Sequence, residues 1–229
     1  MDVIDEISPN DVMYRSSPPE RYWELGEAAV QAIRLSLQAA KRPDPTNILD
    51  LPSGHGRVLR TLKAAYPDAR LTACDIDPDA IEFCARVLGA TPIQSHADPS
   101  LVEFEDTFDL IWCGSLLTHL DAPRWPDFFD LFFSALKSDG LLVFTVHGDK
   151  VLQNMRLGAK YLDEERQAEV MAEYEETGFA YRNYQGQDGY GISLSARWWV
   201  LKLLNCRVHL FSEALWGSHD VLAISHSGS

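Results

Sequence analysis

The segment Asp50-Leu51-Pro52-Ser53-Gly54-His55-Gly56 sets a carboxylate four residues ahead of one glycine and six ahead of another. An apolar run, Asn47-Ile48-Leu49, leads into it, and a helical pattern follows. A strand that breaks into glycines and feeds a helix presents bare backbone amides to a ligand, and a Cβ there would block the approach. A second acid, Asp75, ends the next strand-like run, 25 residues after Asp50. In doubly wound nucleotide sites a carboxylate at that place meets a ribose diol. Two phosphate-binding motifs are missing. A dinucleotide fingerprint counted from Gly54 and Gly56 needs glycine at 59, where the chain has Leu59, and the Gly-Lys-Ser/Thr of a P-loop is absent.

Two histidines border the same expected edge. His119 follows the fourth apolar run, and His147 leaves the fifth, Leu141-Leu142-Val143-Phe144-Thr145-Val146, where open α/β sheets build their sites. Each has two readings: a general base, which must reach the proton it takes, or a buttress of its turn. Asp149 is the candidate partner of His147. Tyr184, Gln185, Gln187, Asp188 and Tyr190 make a polar, aromatic loop that either selects a substrate or is simply solvated. Trp112 reads as core, and the acidic helix over residues 163–177 as a solvated face. Cys74, Cys84, Cys113 and Cys206 are scattered with no CxxC pair, so no metal or redox site is expected. Cys74 and Cys113 read as small core residues.

These groups need a scaffold that alternates strand and helix. Ser17 reads as an N-cap, with Pro18 at the first helical position and Glu20 closing a capping box. The helix so opened runs to about Lys41 with Leu25, Ala29, Ile33 and Leu37 on one stripe. Strand-like runs follow at residues 47–51, 70–75, 91–95, 108–113 and 141–146. Between them lie helical patterns: Val58, Leu59, Leu62, Ala65 and Tyr66; then Ile81, Cys84, Ala85 and Leu88 behind an Asp77-Pro78 cap; then Phe128, Phe129, Phe132 and Leu136. Asp139-Gly140 reads as a turn. Five strands at this rhythm predict a parallel, doubly wound sheet. After His147 the rhythm fails until Ser195, which reads as the cap of a helix to Leu204. Two last strands, at 207–211 and 220–224, are joined by only eight residues, too few for a parallel crossover, so they are expected to pair antiparallel. The expected organisation is one domain over residues 1–229: a helical lid (1–44), a ligand-binding core (45–147), an insertion near the substrate (148–192), and a last helix with the strand pair (193–229).

At 229 residues, 46% hydrophobic and 24% charged, the chain suits an ordinary soluble domain. Asp plus Glu number 34 against 20 for Lys plus Arg, a formal charge of −14 with no basic patch, so nucleic acid is not an expected partner. No apolar run nears the roughly 20 residues a membrane helix needs. Met1-Asp2-Val3-Ile4-Asp5-Glu6 is acidic where a signal peptide is basic and then apolar. A cytoplasmic protein with no membrane partner is expected.

The acid-to-glycine spacing, Asp75 and the closing strand pair together resemble the class I S-adenosylmethionine-dependent methyltransferases, whose first motif runs (D/E)xGxGxG. The resemblance extends in order from about Asn47 to the C-terminus. Phe108-Asp109-Leu110-Ile111-Trp112-Cys113-Gly114-Ser115-Leu116-Leu117-Thr118-His119-Leu120 is similar to the family's fourth-strand motif, and Leu136-Lys137-Ser138-Asp139-Gly140-Leu141-Leu142-Val143 to its fifth. It implies an α/β fold: a doubly wound, seven-stranded, mostly parallel sheet with an antiparallel C-terminal hairpin strand and helices on both faces. It also implies S-adenosylmethionine as cofactor, S-adenosylhomocysteine as product, and a cofactor site at Asp50, Pro52, Ser53, Gly54, Gly56, Asp75, Ile76, His96, Ala97, Cys113 and Ser115. In that family the first acid serves the cofactor's amino acid end. Two departures stand out. Pro52 replaces the motif's first glycine and donates no amide, and His96-Ala97-Asp98 stands where an acid receives the adenine amino group.

Methyl transfer from a sulfonium is an in-line displacement that needs alignment and dryness more than acid–base help. The expected function is methylation of a small-molecule acceptor, at a hydroxyl oxygen, with His119 and His147 as candidate bases. Thr145-Val146-His147-Gly148, Gly189-Tyr190-Gly191-Ile192-Ser193 and Trp199-Val200 resemble bacterial methyltransferases found near glycosyltransferase genes, which implies a saccharide acceptor. Two other readings remain. One is a catalytically degenerate cofactor-binding protein with a regulatory or assembly role, kept open by Pro52 and His96. The other is a nicotinamide dehydrogenase, disfavoured by Leu59.

Overall fold

A computed structural model of the chain describes residues 3–227; Met1 and Asp2 of the acidic start, and Gly228 and Ser229 of the expected domain, lie outside them. In chain order the elements are α1 (Val12–Arg15), α2 (Pro19–Ala40), β1 (Asn47–Asp50), α3 (Leu59–Ala65), β2 (Arg70–Asp75), α4 (Pro78–Phe83) and β3 (Thr91–Gln94). Then come β4 (Phe108–Cys113), α5 (Trp125–Ala135), β5 (Leu136–Val146), α6 (Asp149–Arg156), α7 (Glu164–Thr177), β6 (Phe179–Asn183), β7 (Gly191–Ser195), α8 (Arg197–Leu203), β8 (Arg207–Trp216) and β9 (His219–Ser225). Seven strands form one sheet in the order β3-β2-β1-β4-β5-β9-β8. The first five are parallel, while β9 runs antiparallel to both β5 and β8. The doubly wound sheet with a closing antiparallel pair is the fold the sequence led us to expect.

Its central strands are buried on both faces, as unbroken apolar runs require. On one face Ala29 and Ile33 of α2 and Leu59 and Leu62 of α3 pack on Ile48, Leu110, Leu141 and Val143. On the other, Phe128, Phe129 and Phe132 of α5 and Val200 of α8 pack on Leu49, Ile111, Leu142 and Phe144. Sheet edges and loop ends are therefore held rigidly at the C-terminal side of β1, β2 and β4, where the glycine turn and Asp75 lie.

Local readings change where tertiary contacts win. Pro18, not Ser17, is the N-cap of α2, and no side chain caps it, so Ser17 and Glu20 form no capping box. Pro19 takes the first helical place, where a missing N–H is harmless. Asp77 caps α4 as expected, accepting from the Asp79 amide at 3.0 Å, and the helix widens into a π turn (Cys84–Leu88) before Gly89. Residues 137–140 are a bulge inside β5, not a turn before it: Phe108 pairs with Leu136 and Leu110 with Leu141. Ser195 ends β7, and Ala196 is the N-cap of α8. β8 and β9 reach further than expected, leaving only Gly217 and Ser218 between them.

The insertion after β5 is more ordered than its sequence suggested. It adds α6 and an antiparallel hairpin, β6–β7, which share a small core with α7: Val151, Leu152 and Met155, Val170 and Tyr174, then Ala180, Ile192 and Leu194. Strands this short and polar take their stability from that packing rather than from propensity. Among the described residues no helix is long and apolar enough to cross a membrane.

Candidate active site

β1 ends at Asp50, and the chain turns at once. The Leu51 amide donates to Trp112 O, Ser53 to Cys74 O and Gly56 to Ser53 O, all at 3.0 Å, so the turn is pinned to β4 and β2. The Leu51–Pro52 peptide is cis. Asp75 closes the structure from β2: Oδ2 accepts from the Gly54 amide at 2.7 Å and Oδ1 from the Asp77 amide at 3.0 Å. The two glycines serve different ends. Gly54 adopts φ +49 with nothing within 4 Å of where a Cβ would stand, so it faces open space. Gly56, at φ +81, would put a Cβ 2.6 Å from Leu88 Cδ1 and 3.1 Å from Cys84 Sγ, so it is required by helix packing.

A cleft of about 340 Å³ opens over this turn. Of the residues expected to hold a ligand, it is lined by Asp50, Pro52, Ser53, Gly54, Asp75, Ile76 and Ser115, together with His119. The others do not line it. Gly56 and Cys113 are buried in the packing beneath. His96 and Ala97 are exposed, and His96 Nδ1 accepts from the Asp98 amide at 3.0 Å while Asp98 caps its own short turn, so this segment satisfies itself. His147 is buried behind the cleft wall. Asp149 is not its partner, since its carboxylate accepts from Tyr174 Oη at 2.8 Å.

The cleft also holds residues beyond those expected to bind the ligand. Trp112, read as core, is buried and yet forms its floor with Trp216, the two rings meeting edge to face at 5.4 Å. Asp11 and Met13 enter from the N-terminal segment, and Tyr190 from the β6–β7 loop. Arg57 lies next to the last glycine, its guanidinium 5.4 Å from the centre of the Trp216 ring and its buried Nε without a hydrogen-bond partner. A lone arginine inside a helical pattern carries no signal in one sequence, and Trp216 reaches the site only through the β8–β9 hairpin.

Charge is arranged across this floor. Asp50 is 1% exposed, and neither carboxylate oxygen has a hydrogen-bond partner among the described residues. Burial, and then the neighbouring Asp75, hold its carboxyl well above the usual carboxylate range, with Arg57 opposing. Burial also lowers the Arg57 guanidinium, against the pull of Tyr22, Asp11 and Asp50. An unpartnered buried acid and a half-buried arginine on one floor suit a ligand that carries both an ammonium and a carboxylate.

At the other end stands His119. Its Nδ1 lies 2.8 Å from Gly191 O, and a carbonyl only accepts, so the proton sits on Nδ1 and Nε2 carries the lone pair. Ser115 Oγ is 3.3 Å from that Nε2, and Tyr190 stacks on the ring at 4.8 Å. Burial lowers the imidazole below its ordinary value, the Gly191 bond opposing, so the ring is neutral near pH 7. His147 sits deeper, its Nε2 3.0 Å from His219 Nε2; burial first, then His219 and His119, push it far down.

Two segments border the cleft, the N-terminal one and the β6–β7 loop. Arg60, 1% exposed, donates to Gly56 O and His55 O in the turn and to Ile4 O and Glu6 O in the N-terminal segment. Asp11 caps α1 and accepts from Tyr22 Oη at 2.7 Å, while Asn10 reaches Asp79 at 3.0 Å. The β6–β7 loop is held by Arg124, which donates to Gly189 O.

A family model described as "Methyltransferase domain" matches residues 48–140. Malonyl-[acyl-carrier protein] O-methyltransferases of Anoxybacillus flavithermus and Laribacter hongkongensis are 31% and 28% identical to the chain, over 118 and 126 residues. These matches cover 51% and 50% of this chain and 45% and 42% of the relatives, so the chain spans about half the length of the curated relatives it matches. An S-adenosylmethionine-dependent methyltransferase from Clostridium acetobutylicum superposes with a TM-score of 0.61 at 14% identity, over 96% of both chains. Human N-acetylserotonin methyltransferase, in complex with S-adenosylmethionine, gives 0.56 at 14% identity, over 96% of this chain and 60% of its own. Residues 48–140 thus match a methyltransferase domain, and the chain has the Rossmann-like fold of the solved methyltransferases it superposes on.

Proposed function

We propose that the chain transfers a methyl group from S-adenosylmethionine to an oxygen of a small molecule, a hydroxyl such as a saccharide's, with His119 as the base. The observation that carries this reading is the unprotonated Nε2 of His119 at one end of a cleft whose floor offers Asp50 and Arg57 to a zwitterion. The methionine end of the cofactor bears the ammonium and the carboxylate that this pair suits. Asp75 stands at the rim with Ile76, and each of its oxygens keeps a second lone pair for a ribose hydroxyl. When bound, the cofactor supplies a methyl carbon on a positively charged sulfur, open to in-line attack.

The protein's part is to orient, to dry and to take a proton. His119, held by Gly191 O, accepts the acceptor's hydroxyl proton at Nε2, and burial keeps it neutral and ready. Met13 and Tyr190 line the cleft, where they would help exclude water from the bound methyl group. The relatives are named for O-methylation, which supports oxygen as the atom modified. The test is release of S-adenosylhomocysteine against a panel of hydroxylated acceptors, saccharides and a malonyl thioester included. Release that depends on an acceptor and falls at least a hundredfold in His119→Gln is expected, from the usual 10²–10⁴ of general base catalysis. Full turnover in His119→Gln would remove the base, and cofactor binding with no acceptor turned over would favour a binding protein without catalysis.

A further inference from the structure

Behind His119, a chain of polar groups runs from the cleft-lining Ser115 to the buried Thr145 and His147 and has no part in the chemistry above. His147 Nε2 lies 3.0 Å from His219 Nε2, and His219 Nδ1 lies 3.4 Å from Thr145 Oγ1. Thr145 Oγ1 in turn accepts from the Ser115 amide at 2.8 Å, and Ser115 Oγ is 3.3 Å from His119 Nε2. The groups come from neighbouring places: Thr145 and His147 from the end of β5, His219 from the start of β9, Ser115 from the turn after β4. The rings touch as well. His219 meets Trp216 of the cleft floor at 5.1 Å and His147 at 4.5 Å, and His147 meets His119 at 6.2 Å, all edge to face.

The protons along this chain can be placed. Two facing imidazole nitrogens at 3.0 Å need one N–H and one lone pair, which leaves at least one ring neutral, and burial lowers both, so both are neutral near pH 7. Thr145 Oγ1 accepts the Ser115 N–H through one lone pair, and its own proton can go to His219 Nδ1. His219 is then protonated on Nε2 and donates to His147 Nε2. At the far end Ser115 takes φ +61, the left-handed region that a residue with a Cβ enters only when its surroundings hold it there. The bond to Thr145 does the holding, and in that pose the Ser115 hydroxyl lies against His119 Nε2.

We infer that Thr145 and His219 are positioning residues for His119: they fix the left-handed Ser115 turn, and Ser115 sets its hydroxyl against the nitrogen that takes the proton. His147 is a member of the same support and not a base. The inference rests on the reading of His119 as the base. The groups facing His119 are Tyr184 and Tyr190 of the β6–β7 hairpin, His147 of β5, His219 of β9, and the Ser115 hydroxyl of its own turn.

The test uses the full chain, labelled with ¹⁵N at histidine, and needs no acceptor. In the native protein His119 is expected to show a hydrogen-bonded Nε2 and a titration midpoint below its ordinary value of about 6.5. In Thr145→Val and His219→Phe the Nε2 resonance should move toward that of an unbonded ring nitrogen, and the midpoint should rise. Thr145→Ser and His219→Asn keep the hydroxyl and the acceptor facing it, and should restore both signals. An unmoved His119 signal in folded Thr145→Val overturns the assignment. If His219→Phe does not fold, Thr145→Val decides alone, since it exchanges a hydroxyl for a methyl of like shape. Failure of Thr145→Val to fold also overturns it, because the hydroxyl would then serve the fold. Full turnover in His119→Gln would sink the base while leaving this result readable.

Discussion

Arg60→Met tests how the N-terminal segment is kept over the cleft. The native guanidinium is 1% exposed and donates to four main-chain carbonyls: Gly56 O at 3.0 Å, His55 O at 3.2 Å, Ile4 O at 2.7 Å and Glu6 O at 2.9 Å. Gly56 O also accepts from the Arg60 amide, so it keeps a partner when the side chain goes. Ile4 O and Glu6 O bind the segment to the body of the protein. Two hydrogen bonds to a charged group contribute about 3–6 kcal/mol together. Methionine fills the same space and removes the cost of burying a charge, so global stability should fall by less than that. The segment's other ties are the exposed Arg86–Glu6 pair, worth roughly 0–1 kcal/mol, the Asn10–Asp79 bond and the buried Tyr22–Asp11 bond. Taking about 3 kcal/mol as the loss in attachment, the open fraction of the segment should rise by roughly a hundredfold. Hydrogen exchange at the amides of residues 4–11 reads this directly. Protection there should drop about a hundredfold, while amides in β1, β4 and β5 follow only the change in global stability. Affinity for S-adenosylhomocysteine should weaken too, because Asp11 and Met13 leave the cleft with the segment. Native-like protection of residues 4–11 in the folded variant would refute the reasoning.

Asp50→Asn should weaken S-adenosylhomocysteine binding at least tenfold in isothermal titration, since one hydrogen bond between charged groups carries about 1.5–3 kcal/mol; unchanged affinity would put the ammonium elsewhere. Gly54→Ala and Gly56→Ala should separate binding from folding. The first projects into the cleft and should lower affinity with a loss of about 1–2 kcal/mol for its left-handed backbone; the second meets Leu88 and Cys84 and should show the larger fall in thermal stability. Asp220, raised to about 6 by burial and then by Glu213 and Asp149, has a folded pKa above its unfolded value, so its contribution is present at low pH and is lost as pH rises through about 6. Asp220→Asn should therefore melt higher than the native protein at pH 8, with the gap closing toward pH 4; a gap that widens on acidification would contradict the burial. His119 is lowered by burial, so turnover should fall only as pH drops below the ordinary histidine value, and an acidic limb centred at or above about 6.5 would argue against it.

Local chemistry wrote much of this protein directly into its sequence. Apolar runs of four to six residues, bounded by glycine, proline and Asp77-Pro78, located β1, β2 and β4 to within a residue, because a strand buried on both faces has no other composition open to it. The order of those runs, with the short link between the last two, determined a parallel sheet closed by an antiparallel pair. The spacing of Asp50, Gly54 and Asp75 located the turn that borders the cleft, since the left-handed φ of Gly54 is one that residues with a Cβ rarely adopt. Tertiary structure decided the rest. What each histidine meets is set far along the chain, by Gly191 O, 72 residues away, for His119 and by His219, just as distant, for His147. Gly54 and Gly56 look alike in the chain and differ only by what stands beside them. Arg57 and Trp216 meet through the fold alone, and the β6–β7 hairpin exists because α6 and α7 cover it. Spacing along the chain governs torsion and periodicity; burial, partnering and charge belong to neighbours that the fold brings from far away.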